Sequence, residues 1–262
     1  MKLKRITPNL YLCIVFLFLY LPIFYLIFYS FNGNGNMQQF GNFTLEYYKE
    51  LLLDDRLIQI VLQTFLLAFL SALLATVIGL GGAILIQNIK RKRNQELFLH
   101  LNNILLVSPD VIIGASFLIL FTVLGMKLGF TSVLLSHVAF SIPIVVLMIL
   151  PKLKELPSSM IEAAYDLGAT PWRVFWKIIL PYLSSSIIVA YFMAFTYSLD
   201  DFAVTFFVTG NGFSTLSVEI YSRARQGISL EINALSTLLF FVSLLLVIGY
   251  YFMSKEKDVE RK

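Results

Sequence analysis

Three acidic residues lie inside apolar stretches of the sequence. Asp110 occurs in LLVSPDVIIG, and the adjacent Asp200 and Asp201 occur in FTYSLDDFAVTFFV. An ionisable residue at membrane depth is costly and usually marks a functional site. The same stretches contain no Lys or Arg, whereas Tyr197 and Phe202 flank the acidic pair. Carboxylates beside aromatic rings can bind an amine or ammonium group through charge pairing and cation–π contact, and do not suit an anion.

Each acid also has a structural interpretation. Ser108-Pro109-Asp110 is typical of a helix restart, where a carboxylate in the first turn complements the helix dipole. The pair Asp200-Asp201 can end a helix at the outer surface. Against this, adjacent carboxylates among aromatic rings repel each other unless a cation is sometimes near. Both interpretations stay open at this point.

A second motif is the polar segment EAAYDLGATPWRVFWKIILP, residues 162–181. Pro157 followed by two serines suits a helix start, Gly168 can end that helix in a left-handed conformation, and Thr170-Pro171 suits the start of another. The apolar residues that follow recur at helical spacing, and Pro181 precedes the next apolar stretch. The segment predicts a helix, a sharp turn and a second helix along the apolar interface. It can present Glu162, Ala163 and Ala164 to a partner protein, or form an interfacial hairpin without a partner.

The histidines and the cysteine indicate little chemistry. His137 lies in an apolar stretch, where an interhelical hydrogen bond is the expected role, and His100 lies near the edge of another stretch. Cys13 is the single cysteine, and we expect it to be a small apolar side chain. Two distant histidines and one cysteine form no recognisable metal site. No glycine belongs to a Walker phosphate-binding pattern, so we expect no cofactor in this chain.

Composition identifies the elements that must position these residues. Of 262 residues, 58% are hydrophobic and 14% are charged, which excludes an ordinary soluble domain. The apolar stretches are long enough to span a bilayer as helices, and the first is too long for a signal peptide. We predict an all-α membrane protein with six transmembrane helices, near 10–31, 58–87, 101–125, 131–150, 182–208 and 233–253. At a rise of ~1.5 Å per residue, Asp200 lies roughly 28 Å from Pro181 along the fifth helix.

The positive charges predict the orientation of these helices. Most of the 20 Lys and Arg residues fall in the N-terminal segment, the run 90–93, the segment 151–181 and the C-terminal tail. Cytoplasmic loops carry this excess, so we expect both termini and the loop 151–181 inside the cell. We then expect the basic run 90–93 to bind acidic lipid headgroups rather than nucleic acid. The outer segments 32–57 and 209–232 can meet a partner or merely cap the helices.

The residues of the loop 151–181 carry a resemblance to a known family. Glu162-Ala163-Ala164, Gly168, Ile178 and Leu180-Pro181 have the identities and spacing of the EAA motif of bacterial ABC importer permeases. The resemblance implies a type I ABC importer permease fold, with residues 1–262 as a single permease domain. It also implies that Glu162 to Pro181 couple the membrane helices to a cytoplasmic ATPase dimer. ATP and Mg²⁺ would belong to that ATPase, and this chain would not be an enzyme on its own.

The resemblance extends over nearly all of the chain. The stretches SPDVIIG, SLDDFAVTFFVTGNGFSTL and IYSRARQGISLEINALSTL are similar to PotC-type permeases of spermidine/putrescine importers. This likeness implies a bacterial inner-membrane location, a second related permease and an extracytoplasmic substrate-binding protein. It places Asp110, Asp200 and Asp201 along the polyamine path, and Tyr197 and Phe202 beside it.

Three alternatives remain. The chain can be the permease of an importer for another cationic or amine-bearing solute. It can be a secondary transporter that works alone, although such proteins usually have more spans or inverted repeats, and the EAA loop would then have no role. It can be a membrane scaffold without transport, in which case the three acids are dispensable.

Overall fold

The regular secondary structure in the described part of the chain is helical. The computed structural model describes the backbone of residues 3–226 and 230–259, and the side chains of residues 10–226 and 230–245. Within these ranges the strand-like pairing is limited to an isolated antiparallel bridge between Asn32 and Phe43, which confirms the all-α prediction. The helices are α1 Leu3–Tyr29, α2 Glu46–Leu53, α3 Asp55–Gln87, α4 Lys92–Val107, α5 Asp110–Val123, α6 Phe130–Lys154, α7 Ser158–Asp166, α8 Pro171–Val174, a π-helical turn Phe175–Ile179, α9 Leu180–Asp200, α10 Ala203–Val208, α11 Leu216–Gln226 and α12 Leu230–Val259.

Several helices have the length and composition of membrane spans. In the described part of the chain, four are long and apolar enough to cross a bilayer: Leu10–Tyr29 in α1, α3, α6 and the run Pro171–Asp200. The pair α4 and α5, bent by 101°, is a fifth crossing if it counts as one span. Helix α12 contains a shorter apolar stretch, Leu230–Leu245. All six predicted stretches therefore fall on helical segments.

Two of the predicted spans, 101–125 and 182–208, are not continuous helices. The first is broken at Pro109, which has no backbone N–H and disfavours the helical conformation of the residue before it. Ser108 is accordingly extended, with φ −70° and ψ 138°. The second is broken at Asp201, which is extended with φ −61° and ψ 121°. Each of these two predicted spans thus consists of two helices joined at a short break.

Residues 60–219 form one compact unit with two apolar clusters. The first cluster lies between α3, α6 and α9 and contains alanines and branched aliphatic side chains. Helices α3 and α6 approach closely at Gly79, where a Cβ atom would lie 2.5 Å from Cγ1 of Val145. Small residues let membrane helices pack closely, because lipid supplies little hydrophobic driving force between them.

The second cluster joins the broken spans. It contains residues of α3, α5, α6 and α10, among them Ile113, Phe140 and Val204. A Cβ atom on Gly114 would lie 2.8 Å from Cδ2 of Phe207 and 3.0 Å from Cα of Val204. The absence of a side chain at Gly114 therefore allows α5 and α10 to pack against each other.

Residues 1–59 and 220–262 belong to a second unit, in which α1 packs along α12. The ring centroids of Tyr20 and Phe240 are 6.5 Å apart at this contact. Elsewhere in the unit, Nη2 of Arg223 donates to Oδ2 of Asp54 at 2.9 Å, and Nη1 of Arg223 lies 3.4 Å from Oε2 of Glu231. The hydrogen bond from Arg223 lowers the pKa of Asp54 below its ordinary value. These ion pairs connect the residue after α2 with α11 and α12.

Candidate functional site

The three acids lie at the two helix breaks of the unit 60–219. Helix α5 begins at Asp110 and α9 ends at Asp200, which confirms the backbone part of the structural interpretation. The hydroxyl of Tyr197 donates a long hydrogen bond of 3.4 Å to Oδ1 of Asp110. The packing of α5 on α10 therefore brings the break in one span close to the break in the other.

Asp110 and Asp200 are exposed, and their carboxylates are open. Neither forms an ion pair with Lys, Arg or His among the side chains that the structure describes. Tyr197 lies three residues before Asp200 on α9, a spacing that places two side chains on the same helix face. The ring of Tyr197 is half-buried and meets the ring of Phe140 edge-on, with centroids 4.9 Å apart. Asp110, Tyr197 and Asp200 thus form one open acidic and aromatic surface.

Asp201 has a different environment from its neighbour. Its side chain is 7% exposed, and its Oδ2 accepts hydrogen bonds from the backbone N–H and the hydroxyl of Thr205 at 2.8 and 2.7 Å. Its Oδ1 accepts from the backbone N–H of Val204 at 3.3 Å. This carboxylate caps the start of α10, as an acidic side chain commonly does. The sequence predicted Asp201 in the path, whereas the structure turns it inward.

The remaining predicted path residue is Phe202, which follows the second break. It is half-buried, and its ring centroid lies 5.4 Å from that of Phe206. The structure therefore brings Asp110 and Tyr197 into contact, keeps Asp200 one helical turn away, and sets Phe202 on the other side of the break.

This arrangement can bind an organic cation. Irregular backbone at membrane depth is tolerated where protein buries it or where it lines a water-filled cavity. Open carboxylates at such a position attract positive charge, and the nearby aromatic ring adds a cation–π surface. Among the described residues no group of three or more His, Cys, Asp or Glu residues has the arrangement of a metal site. The geometry favours binding by charge and aromatic contact.

The second candidate site is the loop between α6 and α9. Helix α7 begins after Pro157 and ends at Asp166, and Gly168 has φ +77°. The backbone N–H of Ala169 donates to the carbonyl of Ala164 at 2.9 Å, a bond typical of a helix end with a left-handed glycine. The hydroxyl of Thr170 accepts from the backbone N–H of Arg173 at 3.4 Å. The predicted helix, turn and helix start are confirmed.

The surface of this loop is unusually apolar for an exposed segment. The side chains of Leu167 and Trp172 are 89% and 71% exposed. Glu162 and Ala163 are exposed on α7, and Ala164 is half-buried. A short helix with small residues and protruding apolar neighbours is suited to contact with another protein.

Pro181, which marks the entry to the predicted fifth span, lies inside a helix. The chain is helical without a break from Pro171 to Asp200. A proline within a helix leaves the carbonyl four residues earlier without its donor. Here a π-helical turn precedes Pro181, and the N–H of Leu180 donates to the carbonyl of Phe175, five residues earlier. The widened turn accommodates the proline.

The two candidate sites lie at opposite ends of α9. This helix has 21 residues, begins at Leu180 in the EAA motif and ends at Asp200. At a rise of ~1.5 Å per residue its length is about 30 Å. A single helix therefore connects the loop with Asp200.

Sequence analysis missed a group of buried hydroxyls beside the carboxylates. Ser71 of α3, Ser198 of α9 and Thr205 of α10 are all buried, and the last two bond to the ring of His137. The predicted interhelical hydrogen bond of His137 is thus confirmed. A signal existed, because these hydroxyls lie in apolar stretches, but single Ser and Thr residues are common in membrane helices.

Comparison with known proteins identifies the family of the chain. Residues 75–255 match the family model described as binding-protein-dependent transport system inner membrane component. The chain is 36% identical over 253 residues to the spermidine/putrescine transport system permease protein PotC of Escherichia coli (strain K12), covering 97% of this chain and 96% of that protein. It is 36% identical over 258 residues to the putrescine transport system permease protein PotI of the same strain, covering 94% and 92%.

A solved structure supports the fold. A chain in the crystal structure of a bacterial ABC transporter involved in the import of the acidic polysaccharide alginate superposes with a TM-score of 0.76. Its sequence is 17% identical, and the match covers 97% of each chain. The family match covers more than half of this chain and confirms the resemblance to importer permeases and the membrane location. The chain therefore belongs to the family of binding-protein-dependent transport system inner membrane components.

Proposed function

We propose that this chain is the permease subunit of an ATP-driven importer for polyamines such as spermidine and putrescine. The observation that carries the proposal is the pair of open carboxylates, Asp110 and Asp200, at two helix breaks with Tyr197 beside them. The names of the relatives, PotC and PotI, support the substrate class. A polyamine offers several ammonium groups, which suit separate carboxylates along one path.

Several side chains of the site would contribute to binding the polyamine. Asp110 and Asp200 would pair with ammonium groups, a contact of about 4 kcal/mol at 4 Å for an effective dielectric constant of 20, before desolvation is subtracted. Tyr197 and Phe202 would contribute cation–π contacts of roughly 0.5–2 kcal/mol each. Asp201 would act on the path indirectly, because its carboxylate already accepts hydrogen bonds from Thr205 and Val204.

The other parts of the importer would be separate subunits. The residues 1–262 would work as one permease domain with six spans and both termini in the cytoplasm, paired with a second related permease. A cytoplasmic ATPase dimer that holds ATP and Mg²⁺ would contact the exposed side of α7, and a binding protein would deliver substrate from outside. The run 90–93 would rest on acidic lipid headgroups.

Alternating access would be driven through α9. The helix joins the EAA motif at Leu180 and Pro181 to Asp200. Closure of the ATPase pair would pull on the loop that contains Glu162, Ala163 and Gly168. The helix would carry that movement over about 30 Å to the carboxylates.

The proposal is tested by measuring uptake of radiolabelled spermidine and putrescine. The cells lack their own importer and express this chain with its partner subunits. Asp110→Asn and Asp200→Asn remove the charge with little change of shape, and Glu50→Gln removes an exposed charge from α2 as a matched control. We expect both Asp variants to lose uptake while the complex still assembles, and the control to retain it.

Other outcomes overturn parts of the proposal. Normal uptake by both Asp variants would remove the carboxylates from the path. No polyamine uptake by the assembled wild-type complex, with charge-dependent uptake of another amine, would identify a different cationic substrate. Uptake without any ATPase subunit would indicate a secondary transporter.

A further inference from the structure

A continuous chain of hydrogen bonds leads from α3 to the carboxylate of Asp201. The hydroxyl of Ser71 lies 2.8 Å from Oγ of Ser198, which lies 2.7 Å from Nδ1 of His137. On the other side of the ring, Nε2 lies 2.8 Å from Oγ1 of Thr205. The hydroxyl of Thr205 lies 2.7 Å from Oδ2 of Asp201. The chain connects four helices, and the ring of His137 at its centre is 0% exposed.

The protons of this chain can be assigned from its two ends. A carboxylate accepts hydrogen bonds only, so the single hydroxyl proton of Thr205 must point to Asp201. Oγ1 of Thr205 then accepts from Nε2 of His137, which must carry a proton. At the other end, Ser71 donates to Ser198, which leaves the proton of Ser198 for Nδ1 of His137. In this assignment every donor in the chain points toward Asp201.

One rival assignment fits the same atoms. A doubly protonated His137 would donate from Nδ1 to Ser198, which would then donate to Ser71. Ser71 would turn its proton to the carbonyl of Ala68, which lies 3.1 Å away, farther than the 2.8 Å to Ser198. Both assignments keep the 2.8 Å contact between the two serines, and both place a proton on Nε2, which also lies 3.4 Å from Oδ2 of Asp201. In such a chain each bond polarises the next, so that its members act as a unit.

We propose that His137 is the positioning residue of the acidic surface: with a proton on Nε2, it holds Asp201 inside the helix cluster, so that Asp200, and not Asp201, faces the path. This inference rests on the proposed polyamine path. The chain fixes the extended residue between α9 and α10 from three neighbouring helices. The direction of Asp200 then follows from the orientation of Asp201, since the two residues are adjacent in sequence.

Nuclear magnetic resonance of the ring nitrogens tests the proton assignment directly. The sequence has two histidines, so His100→Gln leaves His137 as the single histidine of a chain that carries no histidine tag. The variant is labelled with the heavy nitrogen isotope in histidine and assembled with unlabelled partner subunits. We expect a proton on Nε2, identified by the couplings of that nitrogen to the ring protons. A ring that carries its proton on Nδ1 alone would overturn the proposal.

Transport by variants tests the positioning role. His137→Phe keeps a ring and removes both hydrogen bonds, and we expect uptake to fall roughly tenfold or more because buried partners are left unpaired. His137→Gln supplies one donor and one acceptor, and should restore most of that loss. The double variant His137→Phe with Thr205→Val should be no worse than the worse single variant, because both interrupt one chain. Thr196→Val, whose hydroxyl bonds to carbonyls of its own helix, is the matched control.

The two proposals fail separately. Normal uptake by Asp110→Asn and Asp200→Asn would remove the polyamine path and leave the proton assignment intact. Loss of uptake in those variants, together with a His137 protonated on Nδ1 alone or with additive losses in the double variant, would overturn the positioning role alone. Failure of His137→Gln to recover any uptake, in a complex that assembles normally, would also contradict it.

Discussion

Replacement of Gly114 by alanine should separate α5 from α10. The added Cβ would lie 2.8 Å from Phe207, 3.0 Å from Cα of Val204 and 3.2 Å from the carbonyl oxygen of Ala203. Two of these three atoms are backbone, so the helices themselves must move. Overpacking of this kind costs typically 1–3 kcal/mol in free energy of unfolding. Alanine in a helix recovers roughly 0.5–1 kcal/mol relative to glycine, so the net effect should be destabilising.

We expect Gly114→Ala to affect polyamine uptake more strongly than the free energy of unfolding, because α5 holds Asp110 beside Tyr197. The assay compares polyamine uptake and the thermal midpoint of the purified complex for Gly114→Ala and for Gly82→Ala. A Cβ on Gly82 would meet its nearest atom, Cγ2 of Val146, at an ordinary 3.6 Å. We expect Gly82→Ala to be neutral or stabilising and Gly114→Ala to lower both measurements. Equal behaviour of the two variants would refute the idea that close α5–α10 packing builds the site.

Three further predictions concern the loop and the outer ion pair. Gly168→Ala places a methyl group in open space at φ +77°, so its cost is that of the left-handed backbone, about 1–2 kcal/mol. Uptake should therefore fall, and it should fall less for Gly168→Asn. Equal uptake by both variants would contradict the strain argument. Leu167→Ser should leave the fold intact and weaken retention of the ATPase during affinity purification, because the side chain is 89% exposed; unchanged retention would argue against this contact. Since Arg223 lowers the pKa of Asp54, the pair stabilises the protein fully above the ordinary Asp value of about 3.9 and less as the pH falls through the lowered pKa. The thermal midpoints of the wild type and Asp54→Asn should therefore converge below about pH 4, and a constant difference would contradict the sign.

Local signals in the sequence were sufficient for the cytoplasmic loop. Gly168 and the Thr170-Pro171 pair act within a few residues of the helix ends that they determine, and those ends are where they were predicted. Pro109 likewise marked the start of α5. The break at Asp201 lacks a proline or glycine, because a hydrogen-bonded carboxylate replaces the missing backbone bonds. A span of 182–208 was therefore the natural prediction.

The pairing of the acids depends on contacts that are distant in sequence. Asp110 and Tyr197 are 87 positions apart, and their proximity follows from Gly114 on α5 and the residues of α10. The different environments of Asp200 and Asp201 were also hidden, because adjacent residues of one type give one sequence signal. Only the position of His137 and Thr205 shows which carboxylate faces inward.

Thiol labelling measures most directly whether Asp110 and Asp200 face a path for cations. Cys13 is the single cysteine, so a Cys13→Ser background accepts a new cysteine at each acid in turn. With a positively charged thiol reagent, our account predicts labelling of Asp110→Cys and Asp200→Cys, slowed by spermidine, and little labelling of Asp201→Cys. Labelling of Asp201→Cys alone, or labelling of Asp200→Cys that spermidine does not slow, would contradict it.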